Sequence, residues 1–455
     1  MEQKESLKRV LGFWPTWAIC IGLTISGSIC LATMYGFAHL GAGFLVPLAA
    51  AAIIVFCLVT SFMELALMLP KAGAAAFYTM PALGRVPGIS IGLVYLVVFI
   101  FIGPVEFMIL GHLFSDFVFT GVPWWIFPLI FAAIFVFLNF RGIGVSGVVQ
   151  LALAAIMVII ILLLGIFGIS GFASGTVISP HPFAPFIPQG VGVMDILEMT
   201  MLLGIFCFMG LDWITPLVEE IKDPVKTLPR AIPFAIATIF GCFAIFGLAG
   251  VMYVKPDVVL ATSVPHIVIA QTLFGKLGLV AMLVAALGVS LTTMNAAAAE
   301  IPRVYYSMAT IGLFPSKFGY LHPKYRTPWW AILLVLGLTF PLFIYSIFIG
   351  EQPEFLIEVA AWVWIIMYAI ISVDLIILRR KYPKAKRPYK VPLYPAPQII
   401  GLAFALIIIV FAGSKVILAG LGVLAVLFTY SVIWTKFFMK KPLFKPVPIE
   451  EEISS

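Results

Sequence analysis

Apolar stretches of about 20 residues recur from one end of the sequence to the other, and each can cross a hydrocarbon layer about 30 Å thick. The composition agrees, since 63% of the residues are hydrophobic and 10% are charged, compared with about 25% charged residues in soluble domains. The sequence therefore predicts an all-α membrane protein with twelve transmembrane helices. We place these helices at residues 14–40, 43–69, 90–119, 124–141, 143–170, 193–217, 231–254, 277–308, 328–350, 355–378, 397–414 and 416–435.

The distribution of lysine and arginine predicts the orientation of these helices. When the N-terminus is placed in the cytoplasm, the outer loops contain only Lys255, Lys276 and Lys415 of the 27 basic residues. Because the inner loops of membrane proteins are enriched in basic residues, we predict a multi-pass plasma-membrane protein. Its N-terminal segment (1–13) and C-terminal tail (436–455) both lie in the cytoplasm. This topology explains the net charge of +7, so the charge does not indicate nucleic-acid binding.

Two of the apolar segments contain a break at corresponding places in the chain. The first break is Ile25-Ser26-Gly27-Ser28, and the second extends from Phe206 to Asp212. A break inside a membrane leaves backbone N–H and C=O groups that need partners. In secondary transporters these groups bind the substrate and its coupling ion near the middle of the bilayer.

The two breaks divide the predicted helices into two groups of five. Because five is an odd number, the second group (193–378) crosses the membrane in the opposite sense to the first group (14–170). The sequence predicts a 5+5 inverted repeat with broken helices 1 and 6, followed by two extra helices in residues 397–435. The alternative is that Gly27 and Gly210 only allow neighbouring helices to pack closely.

Residues at the breaks, together with one buried acid, form the predicted substrate site. Helix N-termini attract a carboxylate, and freed carbonyl groups accept hydrogen bonds from an ammonium group. Glu106 has no basic residue near it in the sequence, and we predict that it binds an ammonium group or carries a proton. A protonated structural glutamate is the alternative. The predicted substrate-binding residues are Ile25, Ser26, Gly27, Ser28, Glu106, Phe206, Cys207, Phe208 and Gly210.

Other polar residues in apolar segments are candidates for gating or coupling. We expect Glu64 to pair with an arginine or lysine, and Glu300 to pair with Arg303 one helical turn later. Asp212 follows the second break, where an acid also commonly caps a helix. Hydroxyl groups near residue 292 are candidate Na⁺ ligands, although such groups more often bond the preceding backbone turn. The full set is Glu64, Asp212, Thr292, Thr293, Glu300 and Arg303.

Four segments resemble signatures of the amino acid–polyamine–organocation (APC) permease superfamily. They are the exit of helix 2 (64–73), helix 6 with its exit (206–232), helix 8 with its exit (295–328) and a basic stretch (379–395). The resemblance implies a permease that works by alternating access, with an aromatic gate at Phe206.

Helix 1 departs from the usual pattern of that superfamily. Many members have Gly-Ser-Gly at the break, where backbone amides receive the substrate's carboxylate, whereas this chain has Ser26-Gly27-Ser28. Helix 1 is more similar to the ethanolamine-type amine permeases. The resemblance therefore leaves two substrate classes open, amino acids and amines without a carboxylate.

The predicted function is a permease for amino acids, with proton-coupled symport favoured over Na⁺ coupling and over pure exchange. A permease or exchanger for carboxylate-free amines is the alternative. A membrane receptor, an ion channel and a membrane enzyme are weaker alternatives, and no nucleophile–base pair, cofactor motif or metal-binding motif is visible. We predict a small-molecule substrate and the lipid bilayer as partners, with a homo-oligomer left open and no nucleic acid.

Overall fold

The computed structural model describes residues 9–71, 73–141, 147–349 and 353–449, and the regular secondary structure of these residues is helical. The α-helices are, in chain order, α1 (Phe13–Thr24), α2 (Gly27–Leu40), α3 (Leu45–Met68), α4 (Ala75–Leu83), α5 (Arg85–Phe117), α6 (Ile126–Phe140), α7 (Gly147–Ile169), α8 (Val193–Met199), α9 (Pro224–Tyr253), α10 (Pro256–Leu260), α11 (Pro265–Thr310), α12 (Trp329–Ile349), α13 (Pro353–Lys381), α14 (Ala396–Phe411) and α15 (Ser414–Ile433). Short 3₁₀ helices cover Gly41–Phe44, Leu211–Glu220 and Ser316–Gly319, and π-helices cover Thr200–Gly204 and Trp434–Met439.

Eight helical segments of the described chain are long and apolar enough to cross a membrane. They are Gly27–Met68, Arg85–Phe117, Leu151–Ile169, Pro224–Tyr253, Pro265–Ser290, Trp329–Phe348, Pro353–Lys381 and Ser414–Met439. The protein is thus an all-α, multi-pass membrane protein. Some predicted spans are absent from the eight because a break divides them into shorter helices. In the first span, α1 has only 12 residues, fewer than the roughly 20 that span a bilayer.

The structure differs from the prediction in two regions predicted as loops. The predicted loop between helices 2 and 3 contains α4, and α5 begins at Arg85 instead of residue 90. α11 contains a kink at Phe274 and Gly275, so its second part begins close to residue 277, where we predicted the start of helix 8. Residues 265–273, which we predicted as part of a loop, are helical. Gly275 has a φ of 56°, a conformation that glycine adopts without a Cβ clash. The chain therefore turns there without a loop.

The two broken segments lie side by side in the core. α2 contacts the π-helix Thr200–Gly204, and α1 contacts the 3₁₀ helix Leu211–Glu220. α5 packs against both α2 and α13. Residues of α5 and α13 therefore reach the same region as the two breaks.

An extended segment before α1 pairs with the chain that follows the second break. The backbone N–H groups of Val10 and Leu11 donate to the carbonyl of Glu220, at 2.9 and 3.0 Å. The N–H of Lys222 donates to the carbonyl of Leu11 at 2.7 Å, and an isolated parallel bridge joins Leu11 to Ile221. The first described residues are thereby attached to the exit of the second break.

Candidate substrate site at the two helix breaks

The first break consists of two residues between α1 and α2. α1 ends at Thr24, and Ser26 has an extended backbone that begins α2 as its N-cap residue. The Ser26 hydroxyl accepts a hydrogen bond from the Ile29 N–H at 3.3 Å, the usual role of serine at this position. It also lies 2.8 Å from the Ser28 hydroxyl. The N-terminus of α2 is therefore partly capped by its own side chain.

Glu106 supplies a carboxylate to the same helix end. Its Oε1 atom accepts a hydrogen bond from the Ser28 N–H at 3.0 Å, and its side chain is 2% exposed. A Cβ atom on Gly27 would lie 2.8 Å from Cγ2 of Ile109 and 3.1 Å from Oε2 of Glu106. Glycine at this position thus lets the carboxylate approach the positive end of the helix dipole.

The second break replaces α-helix with a π-helix, a turn and a 3₁₀ helix. Gly210 stands before the 3₁₀ helix with a left-handed φ of 102°, which residues with a Cβ rarely adopt. The Cys207 thiol donates to the Leu203 carbonyl at 3.1 Å and lies 3.0 Å from the Thr33 hydroxyl of α2. Cys207 therefore connects the second break to the helix that follows the first.

A small cavity of about 30 Å³ lies between the two breaks. Four predicted substrate-binding residues line it: Ser26, Ser28, Glu106 and Phe206. Gly27 lines a neighbouring cavity, and the other predicted residues, Ile25, Cys207, Phe208 and Gly210, are buried nearby outside the cavity wall. The remaining wall residues are Ile29, Val98, Phe99, Ile102, Met209, Trp213, Thr293 and Trp364.

The sequence matches the family described as amino acid permease over residues 16–443, which is most of the chain. The chain belongs to the amino acid permease family.

Characterised relatives of this permease differ in the compounds for which they are named. It is 31% identical over 291 residues to the low-affinity putrescine importer PlaP of Escherichia coli K12, covering 60% of this chain and 61% of that protein. It is 30% identical over 210 residues to the serine/threonine exchanger SteT of Bacillus subtilis, covering 45% and 46% of the two chains. Over 446 residues it is 24% identical to the branched-chain amino acid permease BcaP of B. subtilis, covering 90% and 89%.

Two tryptophans in the permease's cavity wall were not predicted from the sequence. The rings of Trp213 and Trp364 lie 5.6 Å apart between centroids and are tilted by 32°. Trp213 directly follows Asp212, the last residue of the second break, so its sequence position could have indicated that it lines the cavity. Trp364 lies on α13, and no feature of its local sequence indicates that it reaches the cavity.

Asp212 of the permease does not cap the 3₁₀ helix, so capping, the alternative to its predicted role in gating or coupling, was wrong. Gly210 occupies the N-cap position, and no side chain caps that helix end. Asp212 is buried, and its Oδ1 atom accepts a hydrogen bond from the Tyr368 hydroxyl at 2.8 Å. The Asp212 carboxylate is thus bonded to α13.

Glu64 is paired with arginine, as its sequence position led us to expect. Arg379 donates to Oε1 of Glu64 from Nε at 2.8 Å, and also donates to Oε2 from Nη2. Arg387 lies 3.3 Å from Oε1, and the Val391 N–H donates to Oε2 at 2.8 Å. Glu64 therefore holds the basic stretch that follows α13 against α3, away from the cavity.

The remaining gating candidates lie on α11. The Thr293 hydroxyl donates to the carbonyl of Gly22 in α1 at 3.1 Å. Arg303 lies 3.4 Å from Glu220. The side chains of Thr292 and Glu300 lie outside the described residues, so the predicted pair of Glu300 with Arg303 stays a prediction.

Proposed function

We propose that this permease is a secondary active transporter that moves a small amine or amino acid across the plasma membrane by alternating access. The observation that carries the proposal is the cavity between two helix breaks, lined by a buried carboxylate, hydroxyl groups and aromatic rings. Such broken helices bind substrates in other secondary transporters. The names of the relatives include both putrescine and amino acids, so both classes are candidate substrates.

The proposed topology has twelve membrane helices and cytoplasmic termini. Residues 14–170 and 193–378 would form the two inverted repeats, and residues 397–435 the two extra helices. The positions of the two breaks in α1–α2 and in residues 200–220 support this arrangement. Accessibility of single introduced cysteines to an impermeant reagent, tested loop by loop, would count the crossings.

We propose proton coupling through Glu106, because it is the acid in the cavity wall and acids inside membranes are commonly functional. Na⁺ coupling is the alternative, with the Thr293 hydroxyl and the Gly22 carbonyl, 3.1 Å apart, among the ion's ligands. Exchange without an ion is the third mode. Uptake driven separately by a pH gradient, a Na⁺ gradient or internal substrate distinguishes the three.

The test of transport uses purified permease in sealed proteoliposomes. Radiolabelled amino acids and amines are added in turn, and saturable uptake above that of protein-free vesicles supports the proposal. The Glu106→Gln and Phe206→Ala variants should transport poorly while eluting from a size-exclusion column like the parent. The matched control is Glu358→Gln, which changes an acid of α13 outside the cavity wall. Flux that never saturates, or no flux of either class, would contradict the proposal.

A further inference from the structure

We infer that the permease selects amines that lack a carboxylate, and that Glu106 binds the ammonium group of such a substrate. The inference rests on the proposed transport function and concerns the same cavity. It follows from three observations: what occupies the N-terminus of α2, which charges line the cavity, and how Gly27 positions the Glu106 carboxylate.

The N-terminus of α2 is already occupied by groups of the protein itself. Half-helix N-termini in transporters point at anionic groups of the substrate, and the anionic group here is the Glu106 carboxylate. Oε1 of Glu106 accepts a hydrogen bond from the Ser28 N–H at 3.0 Å, and the Ser26 hydroxyl accepts one from the Ile29 N–H at 3.3 Å. An incoming carboxylate would have to displace these partners.

The second carboxylate oxygen of Glu106 has no hydrogen-bond partner among the described residues. Oε2 is buried and accepts no hydrogen bond from any residue that the structure describes. Among the described residues that line the cavity, Glu106 is the sole charged one. A buried carboxylate without a counter-charge is costly in a medium of low polarity. An ammonium group in the cavity would supply both the missing hydrogen bond and the opposite charge.

The aromatic wall can also contact a cation. Phe206, Trp213 and Trp364 line the cavity, and the negative faces of such rings attract ammonium groups. A substrate carboxylate would meet the Glu106 carboxylate, without a lysine or arginine among the described wall residues to offset the repulsion. The low polarity of the site strengthens that repulsion.

The size of the cavity suits a small group. A volume of about 30 Å³ accommodates about two water molecules, since one water needs roughly 10–15 Å³. This space suits an ammonium head group, and the rest of the substrate requires the aromatic wall to move. Opening of that wall is part of the alternating access that we propose.

The close contact at Gly27 indicates that the position of Glu106 is built into the fold. A Cβ on Gly27 would lie 3.1 Å from Oε2, which is closer than ordinary van der Waals contact. The chain therefore keeps a glycine where the carboxylate meets the helix end. Glu106 takes the place at α2 that a substrate carboxylate would otherwise need.

The test compares ligands that differ only by a carboxylate. Three pairs are used: lysine with cadaverine, ornithine with putrescine, and serine with ethanolamine. Each compound is titrated against the purified permease in a thermal-shift assay, because a ligand that binds the folded state raises the melting temperature of the protein. Uptake of the same six compounds into proteoliposomes is measured in parallel. We expect at least one amine to bind with an affinity about tenfold or more above that of the amino acid in the same pair. Uptake should show the same preference.

Two substitutions of Glu106 separate its charge from its position at the helix. Glu106→Gln keeps the size of the side chain but loses the charge, and it should weaken amine binding about tenfold or more. Glu106→Ala frees the Ser28 N–H, so the carboxylate of an amino acid can take its place. In that variant the ratio of amine to amino-acid affinity should fall by about tenfold or more. Glu358→Gln should leave the ratio unchanged.

The outcomes distinguish this inference from the proposed function on which it rests. Saturable uptake of amino acids with no uptake of amines would overturn the inference and leave the transport function standing. Equal affinity for both members of every pair, or full amine affinity in Glu106→Gln, would also overturn it. Absence of uptake and of binding for all six compounds would contradict both.

Discussion

Arg379, near the C-terminal end of α13, donates two hydrogen bonds from one guanidinium group to the fully buried carboxylate of Glu64 in α3. Arg387 and the backbone of Val391 bind the same carboxylate. Because these partners follow one another in the chain, a single acid folds the basic stretch back onto the helix bundle. The contact between Glu64 and Arg379 joins α3 to α13, although the two residues are more than 300 positions apart in the sequence.

Replacing Glu64 with alanine should destabilise the permease strongly. The substitution would leave Arg387, whose side chain is 5% exposed, without its counter-charge, and removing one partner of a buried ion pair costs about 3–5 kcal/mol. We expect a large fall in the melting temperature of the detergent-purified protein. Asp257→Asn, which alters an exposed acid, is the matched control. An unchanged melting temperature in Glu64→Ala would contradict a structural role for this network.

Replacing Gly27 with alanine should impair binding more than folding. The new methyl group would lie 2.8 Å from Cγ2 of Ile109 and 3.1 Å from Oε2 of Glu106, and both are side-chain atoms that can move. We expect Glu106 to shift away from the Ser28 N–H and substrate affinity to fall about tenfold. Gly422→Ala serves as the control, because nothing lies within 4 Å of its added Cβ. Equal affinity in the two variants would argue against close positioning at Gly27.

Tyr368 and Asp212 should be energetically coupled through their hydrogen bond. Tyr368→Phe removes the donor from a buried carboxylate, and an unsatisfied buried acceptor costs about 1–3 kcal/mol. Asp212→Asn tests the acceptor, and the double variant completes a thermodynamic cycle. We expect the double variant to be less destabilised than the sum of the two single changes. Simple additivity of the three melting shifts would mean that the bond contributes little.

The ion pair of Arg303 with Glu220 should matter more for transport than for stability. The side chains are 47% and 25% exposed, and exposed ion pairs contribute about 0–1 kcal/mol. Arg303→Gln should therefore change the melting temperature little. If the pair holds one conformation of the transport cycle, the same variant should change the maximal uptake rate without a matching change in affinity. Unaltered transport kinetics would remove Arg303 from the gating residues.

The sequence predicted those parts of the site that depend on local residue types. The breaks were visible because Ser26, Gly27 and Gly210 interrupt apolar runs, and Glu106 stood out as an acid without basic neighbours. The hydrogen bond from Ser28 to Glu106 was not predictable, since its partners are 78 residues apart and their meeting depends on how α5 packs against α2. The same reasoning applies to Trp364.

Errors in the predicted fold also have local physical causes. The stretch between residues 70 and 89 contains several glycines and prolines and resembles a loop, yet residues 75–83 form a buried helix. Their apolar side chains pack inside the protein, and this packing outweighs the loop-like composition. Residues 265–273 were likewise predicted as loop but are helical, and the kink at Phe274 and Gly275 separates them from the helix that we predicted from residue 277.

Val10 and Leu11 pair through backbone hydrogen bonds with Glu220 and Lys222. A label on the segment before α1 would therefore report movement of the second break. All five native cysteines are buried, so a fluorophore attached to a cysteine introduced at the exposed Arg9 would label one defined place. Any displacement of the segment after residue 210 during turnover would pull on that label through three backbone hydrogen bonds. The conformational cycle could thus be followed optically without altering the cavity.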